Sequence, residues 1–277
     1  MKTMSLRVLF FEKPENPYFN LAFEEALARA CSIEEKCFVL RVWRNRKAIV
    51  VGYLRNVSDE VHVSLAKTRN IPIVRRFTGG GAVYHDMGNL NYTLVIKDSR
   101  IKKTIDHAYM YILNGILTAL KNLGLNPETR NVNDVVINGW KISGVAASLR
   151  WNTIFLHGSL LINADLKTLY EVLIIPPKNQ PYKNIDPVKY RVNNLSTIVG
   201  RRISFWEIVN LIIDGFSETL GLEPVFDKPT SLEVELAEKL YLGRYMRSQW
   251  NLQRKSISEF KLLEREICEV LSKSKRQ

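Results

Sequence analysis

The sequence contains no apolar run approaching the roughly 18 residues that cross a bilayer, so a transmembrane helix is excluded. Residues Met1 to Arg7 hold neither a long apolar core nor a small-residue cleavage site, so no secretory leader is expected. Cysteine is scarce. Cys31, Cys37 and Cys268 are odd in number and irregular in spacing, which argues against a disulfide framework and fits a reducing cytoplasm. No Cys/His cluster has zinc spacing, and there is neither an internal repeat nor a low-complexity tract. Acidic residues are the minority: 28 Asp and Glu stand against 40 Lys and Arg, a net charge of +12. That excess implies an anionic partner, whether nucleic acid, a phosphorylated small molecule or an acidic protein, and composition does not choose among them.

What is present is ordinary for a folded protein. Apolar residues make up 46% and charged residues 25% of 277, which excludes wholesale disorder. The length suits one large domain or two modest ones, with a core that needs no staples. Leu6 to Phe11 reads as a strand and Asn20 to Ala30 as a helix. Phe38–Trp43 and Ala48–Val51 read as a hairpin, and Ser58-Asp59 as the cap of a short helix running to about Lys67. Strands are expected at 73–77, 82–85, 90–96, 134–137, 141–150 and 153–163, and helices at 104–123, 204–220 and 230–241. A polar loop opens at Pro176-Pro177 and runs to about Val192. From about Gln253 the chain is a basic tail in which Ser256 and Glu259 form a capping box before a helical stripe of Phe260, Leu263, Ile267, Val270 and Leu271. The irregular alternation, with many short turns, predicts an α+β fold with a mixed, largely antiparallel sheet flanked by helices.

Three segments carry chemistry. Arg75-Arg76-Phe77-Thr78-Gly79-Gly80-Gly81-Ala82-Val83-Tyr84-His85-Asp86 places three glycines, able to approach an anion closely, after two arginines. It is neither a Walker loop nor a dinucleotide fingerprint, since the lysine and the following helix are both missing. Asn133-Asp134 precedes Lys141-Ile142-Ser143-Gly144, a lysine in an apolar strand that either snorkels or faces an anion. Leu156-His157-Gly158-Ser159 sets a histidine in a strand, where a lone histidine is more often a satisfied core residue than a catalyst. The first two segments together imply an anion site built on a sheet, which points to nucleotide chemistry.

Over roughly residues 6–252 the chain resembles the lipoate–protein ligase A family of the biotin/lipoate ligase superfamily. The resemblance rests on Asn16 to Glu25, Trp43-Arg44-Asn45, the run from Arg75 to Asn91, Asn133-Asp134, Lys141 to Ala146, His157 to Leu161, Arg191 to Leu195 and Trp250-Asn251, in that order. It implies a two-step reaction: lipoate or octanoate attacks the α-phosphorus of ATP, and a lysine of an acceptor then displaces AMP. By this resemblance Lys141 contacts the α-phosphate and the acyl carbonyl. Arg76 and the backbone of Gly79, Gly80 and Gly81 hold the phosphate and acyl region. Thr78, Ala82, Val83 and Tyr84 belong to the same loop. His85, Asn89, Asn133, Asp134, Ile142, Gly144, Ala146, His157 and Ser159 line the nucleotide and acyl pocket, and Leu21, Glu24 and Trp43 border the acyl chain. ATP requires Mg²⁺, with Asp134 the candidate ligand, and no tightly bound prosthetic group is implied. The implied acceptors are lipoyl domains of 2-oxoacid dehydrogenase E2 subunits or the glycine cleavage H protein, with no membrane partner.

The sequence departs from the family pattern in places. Ser148 stands where the family carries an arginine, and Arg150, of the same strand parity, is the candidate substitute. The segment 1–252 reads as the catalytic domain, and only the tail at 253–277 stands in place of the accessory C-terminal domain, which in some relatives is a separate polypeptide. An ATP-independent octanoyltransferase of the same fold would need a cysteine near the lysine strand or after the later Pro, where this chain has Asn131 to Asp134 and Pro176-Pro177-Lys178. The basic glycine loop of a biotin ligase is absent. Basic residues are spread along the chain without a nucleic-acid-binding motif, so the charge is assigned to ATP and an acidic acceptor rather than to nucleic acid.

Overall fold

The computed structural model describes residues 4–175 and 191–276; most of the loop expected after Pro176 lies outside the described residues. In chain order the elements are β1 (Ser5–Phe10), α1 (Pro17–Cys31), β2 (Cys37–Trp43), β3 (Lys47–Val51), α2 (Val57–Glu60), α3 (Val63–Thr68), β4 (Ile73–Arg75), β5 (Val83–Asp86) and β6 (Asn89–Lys97). They continue with α4 (Ile105–Asn122), β7 (Glu128–Arg130), β8 (Asp134–Ile137), β9 (Trp140–Ser148), β10 (Ile154–Leu161), α5 (Leu166–Val172) and α6 (Leu195–Val199). The last are α7 (Phe205–Leu220), β11 (Glu223–Asp227), α8 (Ser231–Leu240), α9 (Ser248–Asn251) and α10 (Lys261–Ser274). No helix among the described residues is long and apolar enough to cross a membrane.

An eight-stranded sheet in the order β11-β1-β2-β6-β10-β9-β8-β7 forms the centre, and β4-β3-β5 form a smaller one. In the large sheet β1 runs parallel to β2 and β11, and the other pairs are antiparallel. This is the mixed, largely antiparallel α+β fold expected. β6 is buried along nearly its whole length because helices cover both faces. Leu90, Tyr92, Leu94 and Ile96 face a core closed by Ile112 and Ile116 of α4 and Ile212 and Phe216 of α7. The opposite core joins Val95 and Phe155 to Phe23 and Leu27 of α1 and Leu236 and Leu240 of α8.

Local chemistry sets the helix ends. Asn16 caps α1 by accepting from the Phe19 amide, with Pro17 at the first turn. Thr104 and Ser204 cap α4 and α7, and Gly221, at φ 63°, ends α7 in the left-handed conformation. α10 buries Leu263 and Ile267 beside α1 and α8, and Glu264 accepts from Arg29 (2.7 Å) and Arg244 (2.9 Å).

Three sequence expectations are corrected. β2 and β3 are not a hairpin: β2 lies between β1 and β6, and β3 between β4 and β5. The connection is tied back to the approach to α1, through Arg46 N–H to the Pro14 carbonyl and Asn20 Nδ2 to Asn45, and so turns β3 out of the large sheet. The helix expected over 58–67 is broken at Val61, whose extended backbone bridges to Leu173. Cys31 and Cys37 form a disulfide, with Cα atoms 5.7 Å apart, because the end of α1 and the start of β2 lie side by side.

Candidate active site

One row of residues crosses five strands of the large sheet. Trp43 of β2 is opposite Asn91 of β6, Asn91 opposite Ser159 of β10, Ser159 opposite Gly144 of β9, and Gly144 opposite Asp134 of β8. Paired residues share a face, so this row forms the floor of a cleft. The adjoining row, Arg41, Thr93, His157 and Ala146, extends it.

Lys141 reaches this floor through a fault in the ladder. Simple alternation from Gly144 would turn Lys141 to the other face. The register shifts between Val135 and Val136, so that Ile142 has no partner and Lys141 pairs with Val136. Ile142 turns into the α4/α7 core, where it is fully buried. Lys141 Nζ then lies 2.6 Å from Asp134 Oδ1, over Gly144, where a Cβ would stand 3.1 Å from Nζ. A backbone bond from the Lys141 amide to the Arg191 carbonyl (2.8 Å) pins that end of the strand.

The glycine loop forms the roof. Gly80 has φ +92°, a conformation that favours glycine. Arg76, 6% exposed, donates to the carbonyls of Val50, Gly79 and Gly81. With these carbonyls drawn to Arg76, the amides of Gly79, Gly80 and Gly81 donate to no group among the described residues. Burial lowers the Arg76 pKa to about 10, against the pull of Glu24 and Glu60, and it stays a cation at neutral pH. The Glu60 carboxylate accepts from the Ala82 amide (2.8 Å) and steadies the end of the loop. Arg75 plays no part in the cleft. Its guanidinium donates to the carbonyls of Gly52, Tyr53, Arg55, Trp250 and Asn251, fastening α9 to β4.

At the inner end, the buried Glu24 carboxylate accepts from Thr93 Oγ1 (2.5 Å) and His157 Nδ1 (3.0 Å). Burial pushes its pKa up, but His157, Arg41 and Thr93 together hold it below the usual carboxylate range. With Glu24 ionised, Nδ1 of His157 carries a proton, and Nε2 meets the Thr78 hydroxyl at 2.7 Å. His157 is thus both satisfied and part of the cleft wall. His85, whose Nδ1 accepts from Asn45 (3.3 Å), is held neutral by burial, with a pKa near 3.

The cleft divides into two connected cavities. The inner one is lined by Leu21, Glu24, Trp43, Arg76, Gly80, His85, Asn133, Asp134, Ala146 and His157, with Asn91 and Val50. The outer one is lined by Tyr84 and Asn89, with Arg55, Asp59, Glu60, Tyr170 and Ile174. Gly81, Ala82, Val83, Lys141, Gly144 and Ser159 line both. Thr78, Gly79 and Ile142, expected at the site, line neither cavity, and Arg150 sits over the Tyr53 ring at 5.0 Å, outside both. Asn91 and the wall from Asp59 to Glu60 were not expected. Asn91 had a signal in the polar alternation Asn89, Asn91, Thr93 along an otherwise apolar strand; Glu60 had none.

Residues 16–217 match the family described as lipoyl protein ligase A/B catalytic domain. The chain belongs to the lipoate–protein ligase family of enzymes. Within that family, subunit 1 of the lipoate–protein ligase A of Thermoplasma acidophilum is 32% identical over 261 residues, covering 90% of this chain and 97% of that one. A solved structure described as a bi-partite lipoate protein ligase and its E2 lipoyl domain, also from Thermoplasma acidophilum, matches with TM-score 0.81 and 32% identity, covering 92% of this chain and 99% of that one. A lipoate–protein ligase A bound with ATP matches with TM-score 0.81 and 30% identity, covering 91% and 100%.

Proposed function

We propose that the chain joins lipoate to ATP as lipoyl-AMP and then transfers the lipoyl group to a lysine of an acceptor lipoyl domain. The observation that carries this reading is the position of Lys141 at the meeting of the two cavities, in a lining shared with Gly80 and Gly81, whose amides have no partner among the described residues. The acyl chain lies in the inner cavity and the nucleotide in the outer. A lipoate carboxylate oxygen attacks the α-phosphorus and pyrophosphate leaves with the electron pair of the broken P–O bond. In the second step the acceptor amine attacks the acyl carbonyl, AMP departs, and the amine proton is released. Both transition states gather negative charge near the α-phosphate, where Lys141 and the Gly80 and Gly81 amides supply preorganised positive charge. Among the described residues no three His, Cys, Asp or Glu side chains are grouped to hold a metal, and Asp134 is already engaged by Lys141 and by Asn131 (3.2 Å). The donor set does not fit a resident metal, so Mg²⁺ enters this reading only with the ATP substrate.

A ligase is favoured over the thioester-forming transferase because no cysteine lines either cavity: Cys31 and Cys37 are paired with each other and Cys268 is exposed on α10. Subunit 1 and the bi-partite ligase support a separate accessory protein for the first step and an E2 lipoyl domain as acceptor; the H protein is the second candidate acceptor. The disulfide removes the cysteine argument for a reducing compartment, and the use of ATP is what supports a cytoplasmic location.

The test is intact mass spectrometry of an E2 lipoyl domain incubated with the chain, Mg–ATP and lipoate, and in parallel with pre-made lipoyl-AMP. A gain of one lipoyl mass from lipoyl-AMP is expected, and from ATP plus lipoate if no accessory protein is required. Lys141→Ala is expected to keep the fold and lose at least about 100-fold in transfer rate. Full activity in that variant, or no transfer from either donor, overturns the assignment.

A further inference from the structure

We infer that Asn91 reads the sulfur-bearing end of the acyl chain and makes this chain select a lipoyl over a purely hydrocarbon acyl group; the inference rests on the function proposed above. Asn91 lines the inner cavity, is 2% exposed, and neither its Oδ1 nor its Nδ2 has a hydrogen-bond partner among the described residues. Such a group is rare in a folded interior, because burying an amide without a partner forfeits its bonds to water. Its polar neighbours are already engaged. Trp43 Nε1 donates to Thr93 Oγ1 (3.1 Å), Glu24 pairs with His157, and Asn45 bonds His85. The remaining wall at this end, Leu21 and Val50, is apolar. The amide is therefore a buried polar group in the cavity lining, unpaired among the described residues.

Position says which part of the acyl group it meets. Lys141 lies over Gly144 of β9, and Asn91 lies two strands away across β10 in the same row. At about 4.8 Å per strand the separation is about 10 Å, near the length of an extended octanoyl chain. With the carboxyl group at Lys141, the far end of the chain arrives at Asn91 and Trp43. A dithiolane sulfur is a weak acceptor for the Nδ2–H, and its polarisable ring suits the Trp43 face. A hydrocarbon end leaves the amide desolvated and unpaired, which disfavours binding of that acid.

The experiment compares binding of lipoate, octanoate and the cyclopentyl analogue of lipoate, in which both ring sulfurs are methylene groups, by isothermal titration calorimetry. Wild type is expected to bind lipoate about tenfold more tightly than the cyclopentyl analogue, which has the same shape. In Asn91→Leu the two are expected to bind within about twofold of each other, with octanoate strengthened. Asn91→Val, a smaller strand-forming substitution, is expected to give the same convergence and is used if the leucine variant misfolds. Equal affinities for lipoate and its analogue in wild type, or an unchanged ratio in the folded variant, overturn the role of Asn91 and leave the ligase reading standing. Failure of all three acids to bind overturns both.

Discussion

Lys141 and Ile142 are neighbours with opposite destinations, one in the cleft and one in the α4/α7 core, and the bulge in β9 is what allows it. A bulge cannot be read from alternation, so the sequence leaves Lys141 either snorkelling or facing an anion, and the resemblance places Ile142 at a site that it does not line. The paired arginines divide in the same way: Arg76 braces the glycine roof, while Arg75 is committed to carbonyls, those of Trp250 and Asn251 among them, that only the fold brings to it. His85 yields a prediction at this scale. Burial lowers its pKa from the ordinary 6.5 to about 3, so below pH 6.5 the unfolded chain binds a proton that the folded chain refuses. The His85 contribution to stability is therefore full above pH 6.5 and is lost progressively as pH falls from 6.5 toward 3. Glu24 and Glu25, with pKa values held below the ordinary 4.5, add their own loss only below that point. Thermal melts of wild type between pH 6.5 and 4.5 should fall, and His85→Gln should flatten that slope; parallel curves would show that His85 titrates normally.

Helix α1 serves two sites with adjacent carboxylates. Glu24 turns to His157 and the inner cavity, whereas Glu25 turns to Arg29 (2.7 Å), Arg244 and Tyr245 (2.7 Å), all buried. The C-terminal helix joins the second group through Glu264, so the tail is fastened to the helix that borders the inner cavity. Removing that carboxylate leaves two buried arginines sharing Glu25 alone. Glu264→Gln should cost about 2 kcal/mol, discounted because Glu264 is partly exposed, and lower Tm by roughly 4–8 °C. An unchanged Tm in a calorimetric scan would mean that the tail contributes only apolar contacts. The helices were the legible part of the chain, since Thr104, Ser204, Thr230 and Gly221 mark their ends by local hydrogen bonding. The β2–β3 hairpin was misread because two strands close in sequence belong to different sheets, a choice made by long-range bonds at Asn20 and Pro14. The disulfide was missed for the same reason, since six residues of separation do not reveal that α1 and β2 lie side by side.

At the scale of the whole molecule, the proposed acceptor gives the charge of +12 a testable consequence. An acidic acceptor domain would be drawn to this surface over distances that salt screens, about 10 Å at 0.1 M. Transfer from lipoyl-AMP to an acidic lipoyl domain should therefore lose kcat/KM as salt rises from low to high concentration, mainly through KM, while lipoyl-AMP affinity changes less. A salt-insensitive KM would place recognition of the acceptor on apolar contacts instead.

The floor of the cleft draws one residue from each of β2, β6, β8, β9 and β10, positions 43, 91, 134, 144 and 159. A slip of one residue in any of these pairings would turn part of the floor out of the cleft. β8, β9 and β10 follow one another through short turns, but β6 must find β2 and β10 across long intervening segments, and contacts of that kind form late because loops must close before they are rewarded. Substrate binding thus reports on the register of most of the sheet at once. During refolding, helical signal from α1, α4 and α7 is expected to return before the cleft can hold a ligand, so that a chain able to bind there has already settled the order of its strands.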